Sequence, residues 1–401
     1  MQRVIEKGDF RVPIKSWCDE IEDGALQQAA DLAKHPSVFH HVSLMPDCHQ
    51  GYGMPIGGVV ACENTLIPNA VGVDIGCGMG AAKSNITVDC VSQKKLCRIV
   101  TRVKELIPCG EGKAHKKAQN WRDFSADIRH DTGKGWLTDH VRDLVHRNLG
   151  TLGGGNHFIE IQTDEAGFVW LMIHTGSRHL GNMIARFYNE TAIKLNHRQH
   201  REIPNQDLAY LPSDSTEGKN YVRDMNFALQ YATENRRRIM DRFQSAFKSV
   251  FTHSDFENAI NIHHNYAALE RHYGKEVWVH RKGATSAKKG EIGIIPGSMG
   301  APSYIVQGLG NRDSFLSCSH GAGRKMGRRH ASRALTVKEC TLAMEGIVFD
   351  GWKRTRRGKD KGKYDLGEAP QAYKNIDAVI NFQKDLVKPL VRLKPLAVIK
   401  G

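Results

Sequence analysis

The chain has 401 residues, 40% of them hydrophobic and 25% charged, which is typical of a soluble globular protein and excludes a disordered or fibrous chain. Its formal net charge of +14 at pH 7 favours a polyanionic partner, nucleic acid first, over a basic protein without such a partner. Nine cysteines without a Cys-x-x-Cys pair, a charged start and only short apolar runs exclude a disulfide framework, a signal peptide and a membrane span, and predict a cytoplasmic protein.

Apolar periodicity predicts the secondary structure along the chain. Helices are predicted over residues 20–34, 91–107, 135–149, 221–251 and 375–386. Short strands are predicted from Val42, over Gly58–Cys62, Phe168–His174 and Val277–His280, and from Ser303. Residues 353–363 are rich in Lys, Arg and Gly, which predicts a loop. The chain has no internal repeat and no obvious domain boundary, so we expect a single domain over residues 1–401.

The strand that begins at Val42 runs into a polar turn containing Asp47 and His49. If the chain stays extended there, these two side chains point the same way. An acid at the end of a strand is more often a turn former than a functional group. The sequence therefore favours a turn at Asp47 and leaves a functional role for its carboxyl group open.

The stretch Val71–Gly80 contains four glycines, one acid and one thiol. Asp74 offers a hard oxygen ligand and Cys77 a soft sulfur ligand three residues later. One short turn can hold both against a metal of intermediate softness. The alternative is a glycine-rich turn with a buried cysteine, and this stretch alone leaves both interpretations open.

Three histidines, His157, His174 and His264, lie within two residues of glycine or asparagine near the ends of predicted strands. Together with Asp74 and Cys77 they form a set of nitrogen, oxygen and sulfur donors suited to Mn²⁺, Zn²⁺ or Fe²⁺. Most of the chain's 20 histidines are expected at the surface or as satisfied core groups. Whether these three converge is left open by the sequence.

His320 is followed by Gly-Ala-Gly-Arg, so bare backbone amides and a guanidinium adjoin an imidazole. This arrangement suits a phosphate held next to a nucleophile, although a histidine that caps a helix is the alternative. Pro296–Gly300 could also hold phosphate through its N–H groups. The absence of Gly-x-x-x-x-Gly-Lys-[Ser/Thr] excludes a P-loop. We interpret the three arginines at 236–238 as a solvated helix face.

These segments, in this order, resemble the RtcB family of RNA-splicing ligases. The matching motifs are Met45-Pro46-Asp47-x-His49, Gly72-Val73-Asp74-Ile75-Gly76-Cys77-Gly78, Gly155-Asn156-His157-Phe158-x-Glu160, His174-Thr175-Gly176-Ser177-Arg178, His264-Asn265, Arg281-Lys282-Gly283-Ala284, Pro296-Gly297-Ser298-Met299-Gly300, Ser319-His320-Gly321-Ala322-Gly323-Arg324, Ala372-Tyr373-Lys374-x-Ile376-Asp377 and Lys400-Gly401. They span nearly the whole chain and are together highly specific.

The resemblance implies a single-domain α+β fold with mixed sheets, surrounding helices and a central cleft for metal and GTP. It implies a ligase that depends on GTP and on two Mn²⁺ ions. By the same resemblance, Cys77 would bridge both ions, His157 and His174 would complete one site, and Asp74 and His264 would complete the other.

In the implied reaction, His320 attacks the α-phosphate of GTP and carries GMP, which an RNA 3′-phosphate then accepts. A 5′-hydroxyl attacks that activated end and seals the strand, and a 2′,3′-cyclic phosphate is first opened by hydrolysis. Glu160 and Lys400 match the positions that read guanine and its surroundings. The implied nucleotide contacts are Asn156, His157, Phe158, Ile159, Glu160, His264, Asn265, Pro296, Gly297, Ser298, Met299, Ser303, His320, Gly321, Ala322, Gly323, Tyr373 and Lys400.

The expected partner is broken tRNA or rRNA with these ends, whose phosphates Arg178 and Arg324 would meet. The need for a helper protein stays open. The chain departs from the family pattern at Cys48, His179 and Gly327, none of which is an implied ligand or the nucleophile, so the departures bear on substrate preference. Two alternatives remain, namely an enzyme that caps 3′-phosphorylated RNA or DNA without sealing and a non-catalytic basic RNA-binding protein.

Overall fold

The computed structural model of the protein describes residues 1–121, 139–355 and 361–401. Its helices are α1 (Asp23–Lys34), α2 (Pro68–Val71), α3 (Gln93–Leu106), α4 (Asp139–Asn148), α5 (His179–Arg198), α6 (Thr216–Lys248), α7 (Arg328–Ala334), α8 (Val337–Leu342) and α9 (Ile376–Phe382). Its strands are β1 (Arg3–Ile5), β2 (Ile14–Ser16), β3 (Val38–Tyr52), β4 (Met54–Cys62), β5 (Thr65–Leu66), β6 (Gly78–Thr87), β7 (Phe158–Thr163), β8 (Phe168–Thr175), β9 (Leu211–Pro212), β10 (Ile260–His263), β11 (Asn265–His272), β12 (Lys275–Lys282), β13 (Ala284–Ser286), β14 (Ile292–Ile295), β15 (Ser303–Gly308), β16 (Ser317–Ser319) and β17 (Val387–Lys400). The mixture of helices and sheets confirms the α+β class.

The first large sheet has six strands in the order β1-β2-β3-β4-β12-β11. Its neighbours are antiparallel except for β2 and β3, which run parallel. Helix α1 packs on this sheet because its apolar residues recur at helical spacing. Ala25, Ala29 and Leu32 are fully buried in one cluster with Val42 and Leu44 of β3.

The second large sheet has seven antiparallel strands in the order β10-β6-β8-β7-β17-β15-β14. The amphipathic helices α3 and α6 cover its central strands. Ile99 and Val103 of α3 and Phe243 and Phe247 of α6 bury their side chains in one cluster with Leu171 of β8. The burial of these side chains stabilises the sheet that carries most of the candidate ligands.

The predicted helices are confirmed as elements, but several ends differ. Helix α6 begins earlier than predicted, at Thr216, because the Oγ of Ser215 accepts a hydrogen bond from Gly218 N–H and caps the helix. Helix α9 ends at Phe382, and the first part of the helix predicted over 135–149 lies outside the described residues. The same holds for residues 356–360 of the predicted loop. In the described ranges no helix is both long and apolar enough to cross a membrane.

Two strands correct the sequence-based expectations. The turn predicted at Asp47 is wrong, because β3 continues to Tyr52 and its register with β4 shifts between Leu44 and His49. Strand β17 was not predicted, since its two prolines, Pro389 and Pro395, are unfavourable inside a sheet. The register of β17 shifts next to Pro395, which accommodates the missing N–H.

The two large sheets meet where β10 of the second passes into β11 of the first, with only His264 between them. Strand β6 begins beside this point, where Gly78 pairs with both His263 and Thr175. Strand β7 begins next to the end of β8, where Phe158 pairs with His174. Residues that flank these strand ends are therefore brought together.

Candidate active site

The five residues predicted as metal ligands converge at the meeting point of the sheets. Asp74 and Cys77 lie in the turn before β6, and His157 directly precedes β7. His174 lies near the end of β8, and His264 links β10 to β11. The strand pairing thus joins four separate segments at one centre.

Short distances connect the donor atoms of this cluster. The Sγ of Cys77 lies 3.3 Å from His174 Nε2 and 3.5 Å from His157 Nε2. His174 Nε2 lies 3.3 Å from His264 Nε2, and His157 Nε2 lies 3.1 Å from Asp74 Oδ2. The atoms form two groups, Asp74-Cys77-His157 and Cys77-His174-His264, each within 4.8 Å, that share the thiol. This grouping differs from the implied one, which paired His157 with His174.

The protonation of the cluster suits a bound cation. The Nδ1 of His157 lies 3.0 Å from Leu152 O and that of His174 lies 3.2 Å from Asn156 O. Each Nδ1 can therefore donate to its carbonyl and leave the Nε2 lone pair facing the cluster. Burial lowers the pKa of His174 and of His264 well below the usual value, which favours neutral imidazoles.

Burial raises the pKa of the Cys77 thiol well above its usual value, and the charge of Asp74 raises it further. A cation that binds there must displace the thiol proton. Oxygen, nitrogen and sulfur donors within this span fit one or two divalent ions of intermediate softness.

His320, the predicted nucleophile, follows β16 and adjoins the metal-ligand cluster. Its ring centroid lies 4.9 Å from that of His264. Its Nδ1 lies 2.6 Å from Oδ2 of the fully buried Asp47, which also accepts hydrogen bonds from the N–H groups of His320 and Gly321. This bond occupies Nδ1, so Nε2 is the nitrogen left to react.

Asp47, for which the sequence favours a turn, is instead a buried partner of His320. Burial raises the pKa of Asp47, but the charge and hydrogen bond of His320 outweigh that effect and hold it below its usual value. The segment after His320 closes over Asp47, and a Cβ on Gly323 would lie 2.2 Å from the Asp47 carbonyl oxygen. Gly323 has φ +73°, which also favours glycine.

A cleft of about 680 Å³ opens over the metal-ligand cluster and His320. Its lining includes most of the implied nucleotide contacts, namely Asn156, Phe158, Glu160, His264, Asn265, Pro296, Gly297, Ser298, Met299, His320, Gly321, Ala322, Gly323, Tyr373 and Lys400. Three implied contacts do not line it. His157 lies in the metal-ligand cluster, Ile159 packs in the hydrophobic core, and Ser303 lies behind the Pro296–Gly300 loop, where its Oγ accepts from Gly297 N–H.

Glu160 is a buried carboxyl group in the cleft lining. Burial raises its pKa to about 8, although the charge of Lys400 and a hydrogen bond from Gln162 oppose the shift. The Nε2 of Gln162 lies 2.7 Å from Glu160 Oε2 and 3.1 Å from Ser303 Oγ. Glu160 is therefore oriented by its neighbours and has an acceptor edge available to a ligand with paired donors.

Glu368 joins the cationic side chains at the rim of the cleft, and no sequence motif pointed to it. Its carboxylate accepts hydrogen bonds from Arg324, Arg328, Tyr373 and Lys400 at 2.6–3.1 Å. Burial opposes ionisation, but the charges of Lys400, Arg328 and Arg324 and the hydrogen bond from Tyr373 hold the pKa of Glu368 at about 2. Arg324, expected to meet RNA phosphates, is thus paired within the protein.

The interpretation of residues 236–238 as a solvated face is wrong for Arg236, whose relative exposure is 1%. Arg237 fits the prediction, because its side chain is 56% exposed and pairs with Glu234 and Asp241. Arg236 points inward at a position where an isolated charge would be costly.

The chain is similar to known proteins over nearly its whole length. A profile described as "tRNA-splicing ligase RtcB" matches residues 28–401. The RNA-splicing ligase RtcB of Escherichia coli (strain K12) is 37% identical over 97% of this chain and 97% of its own length. The tRNA-splicing ligases RtcB of Nanoarchaeum equitans and Thermococcus kodakarensis are 31% and 32% identical over 99% and 98% of this chain, and 97% and 95% of their own lengths.

Proposed function

Because the chain belongs to the RtcB family of RNA-splicing ligases, we propose that it joins RNA 3′-phosphate or 2′,3′-cyclic phosphate ends to 5′-hydroxyl ends, with GTP and two Mn²⁺ ions. The proposal covers the whole chain as one catalytic domain. It also assigns the protein to the cytoplasm, because all nine cysteines are free, as is typical of a reducing compartment.

The observation that carries the proposal is the orientation of His320. With Nδ1 bonded to Asp47, its Nε2 attacks the α-phosphorus of GTP and pyrophosphate leaves. An oxygen of the RNA 3′-phosphate then attacks that phosphorus, so the P–N bond breaks and GMP passes to the RNA. Finally the 5′-hydroxyl attacks the 3′-phosphorus, GMP leaves and a 3′,5′-phosphodiester forms.

The metal ligands proposed for this chain are Asp74, Cys77, His157, His174 and His264. When bound, Mn²⁺ offsets the negative charge of the crowded phosphates and orients them for in-line displacement. The protein's own contribution is to fix five donors and His320 on the ends of packed strands, which lowers the cost of ordering them during reaction.

The orientation of His320 predicts a large effect of Asp47→Asn. An asparagine amide can donate to Nδ1, which would shift the imidazole proton to Nε2 and block the attack. We expect protein–GMP formation in a single turnover to slow on the order of 10⁴-fold, the loss known when asparagine in place of aspartate fixes the wrong histidine tautomer.

The matched control for Asp47→Asn is Asp313→Asn. Asp313 also lies next to a histidine, since its backbone carbonyl is 2.6 Å from His41 Nε2. Its carboxylate pairs with Lys15, and Asp313 does not line the cleft. This control should form the GMP adduct at the normal rate. An unchanged rate in Asp47→Asn would show that the aspartate does not orient the nucleophile.

Glu160 supports a preference for GTP over ATP. The N1–H and exocyclic amine of guanine form a paired donor edge that a carboxylate can accept, whereas adenine lacks it and would leave a buried acceptor unpaired. Glu160→Ala should therefore weaken GTP use much more than ATP use. Equal use of the two nucleotides by the unaltered protein would contradict the assignment of Glu160.

The raised pKa of Glu160 predicts a pH dependence of nucleotide choice. With a pKa of about 8, the carboxyl group is mostly protonated at pH 6.5 and must lose its proton to accept both guanine donors. The ratio of GTP affinity to ATP affinity should rise about tenfold from pH 6.5 to 8.0. The triphosphate groups of the two nucleotides titrate alike, so their titration cancels in this ratio. In Glu160→Gln the ratio should be low and independent of pH.

One assay tests the proposed function and its alternatives. The protein is given labelled GTP, Mn²⁺ and an RNA with 2′,3′-cyclic phosphate and 5′-hydroxyl ends. We expect an acid-labile protein–GMP adduct and sealed RNA. Adduct with GMP-capped RNA and no sealed product would favour the capping enzyme, whereas RNA binding without adduct would favour the non-catalytic protein.

A further inference from the structure

Helix α6 carries two consecutive polar side chains, Asn235 and Arg236, into the interior next to the metal-ligand cluster. Their relative exposures are 0% and 1%. Burying an amide and a guanidinium is costly unless nearly every donor and acceptor is satisfied. The hydrogen-bond partners of these two side chains therefore identify the segments that helix α6 holds in place.

Asn235 uses both ends of its amide on the segments around two of the histidines. Its Oδ1 accepts from the N–H groups of Gly150 and Thr151 at 2.7 and 3.2 Å. Its Nδ2 donates to the carbonyls of Thr151 and Gly176 at 3.3 and 3.1 Å. Gly176 lies two residues after His174, so this amide ties the end of β8 to the segment before β7.

Asn235 is linked indirectly to His157 through the backbone carbonyl of Leu152. The Oγ1 of Thr175 donates to Leu152 O at 2.7 Å, and the Nδ1 of His157 lies 3.0 Å from the same oxygen. Leu152 directly follows the segment that Asn235 holds. The orientation of the His157 ring therefore depends on backbone that is fixed by helix α6.

Arg236 contacts the sequence neighbours of three proposed ligands, one of which, His174, also lies near the Asn235 contacts. Its Nη1 donates to Gly76 O at 2.8 Å and to Thr175 O at 3.0 Å. Its Nη2 lies 3.0 Å from His263 Nδ1, and its Nε donates to Asn261 Oδ1 at 2.6 Å. Gly76, Thr175 and His263 each adjoin a ligand in sequence, namely Cys77, His174 and His264.

We propose that Asn235 and Arg236, here called the α6 clamp, are positioning residues that set the spacing of Cys77, His157, His174 and His264. Without a cation, the donor atoms of Cys77 and the three histidines attract one another only weakly at 3.3–3.5 Å. Other contacts must therefore hold the four segments together. The α6 clamp supplies that restraint through one rigid helix and so pre-organises the site. The inference rests on the proposed function in so far as Mn²⁺ is the ion bound.

The test compares Mn²⁺ binding by folded variants, with free Mn²⁺ counted by electron paramagnetic resonance. Arg236→Lys keeps the positive charge but cannot reach four acceptors at once. Asn235→Asp keeps the acceptor but loses both donors. We expect each variant to weaken Mn²⁺ binding about 10- to 100-fold, the range for residues that orient metal ligands. The concentration of Mn²⁺ that gives half-maximal adduct formation should rise in step, and saturating Mn²⁺ should restore most of the rate.

The matched control is Arg237→Lys, one residue along the same helix, with a side chain that is exposed and paired with Glu234 and Asp241. It should bind Mn²⁺ normally. Unchanged Mn²⁺ affinity in both clamp variants would overturn the proposal. It would also be overturned if the variants were slower only because less of the protein is folded, while the half-saturating Mn²⁺ concentration stayed the same. If Arg236→Lys does not fold, Asn235→Asp decides alone. An unaltered protein that takes up no Mn²⁺ would overturn the proposed metal and the clamp together, whereas a protein that binds Mn²⁺ without sealing RNA would overturn only the proposed reaction.

Discussion

His320→Ala should form no covalent adduct with GTP and should lose sealing of RNA on the order of 10⁴-fold or more, because the group that carries GMP is gone. The five proposed ligands remain in this variant, so Mn²⁺ binding should be normal. An RNA whose 3′ end already carries GMP should still be sealed, since that step needs the metal site but no histidine nucleophile. Labelled GTP, denaturing gels and the pre-activated RNA measure the three steps separately.

His49→Ala is the matched control for His320→Ala. His49 also lines the cleft, but its Nδ1 lies 2.9 Å from the backbone carbonyl of Asp47, and in the described structure it makes no hydrogen bond to the Asp47 carboxylate. It should retain adduct formation. Adduct on His320→Ala would mean that another residue is the nucleophile, and failure to seal pre-activated RNA with metals bound would give His320 a second role.

Cys77→Ala should abolish both adduct formation and sealing, because the thiol belongs to both groups of donors and its loss affects each of them. Loss of a shared ligand should lower Mn²⁺ affinity more than loss of His264, which belongs to one group. Titration of free Mn²⁺ against each variant measures this order. Retained Mn²⁺-dependent adduct formation in Cys77→Ala would refute the bridging assignment.

Cys62→Ala is a suitable control for Cys77→Ala. Cys62 is also fully buried, in a different cluster beside α1, and its pKa is likewise raised by burial. Its removal leaves a small cavity of the same kind without touching a donor atom. Both variants should lose comparable thermal stability without metal, while only Cys77→Ala should lose the stabilisation that Mn²⁺ adds.

The five residues that the sequence predicts as metal ligands do converge in the structure, whereas several of their neighbours were not predicted. Asp74, Cys77 and the three histidines stand next to glycine and asparagine turns, so local pattern marked them as strand-end residues. Their convergence depended on the strand order of the second sheet. In that order β10 pairs with β6 and β17 pairs with β7, although each pair is far apart in sequence. The family resemblance supplied that information, and periodicity could not.

The residues missed or misassigned, Asp47, Arg236 and Glu368, share one physical cause. Each is a charged side chain that is satisfied by partners distant in sequence, such as His320 for Asp47 and Gly76 for Arg236. From local sequence, an acid after a strand favours a turn and an arginine in a helix favours solvent. Burial of a charge is a property of the assembled fold, which a single sequence does not display.

The central place of β17 in the second sheet has a consequence for how the protein reaches its active form. This strand pairs with β7, more than two hundred residues earlier, and with β15, while Lys400 at its end bonds Glu368 in the cleft. Such non-local pairing requires large loops to close. The chain loses conformational entropy on closure before the strand contacts can stabilise it, so we expect slow folding. During synthesis, every residue before Val387 is made before β17, so we expect the proposed catalytic centre to form only after β17 has been made. Until β17 has been made, the second sheet lacks the strand that pairs with both β7 and β15.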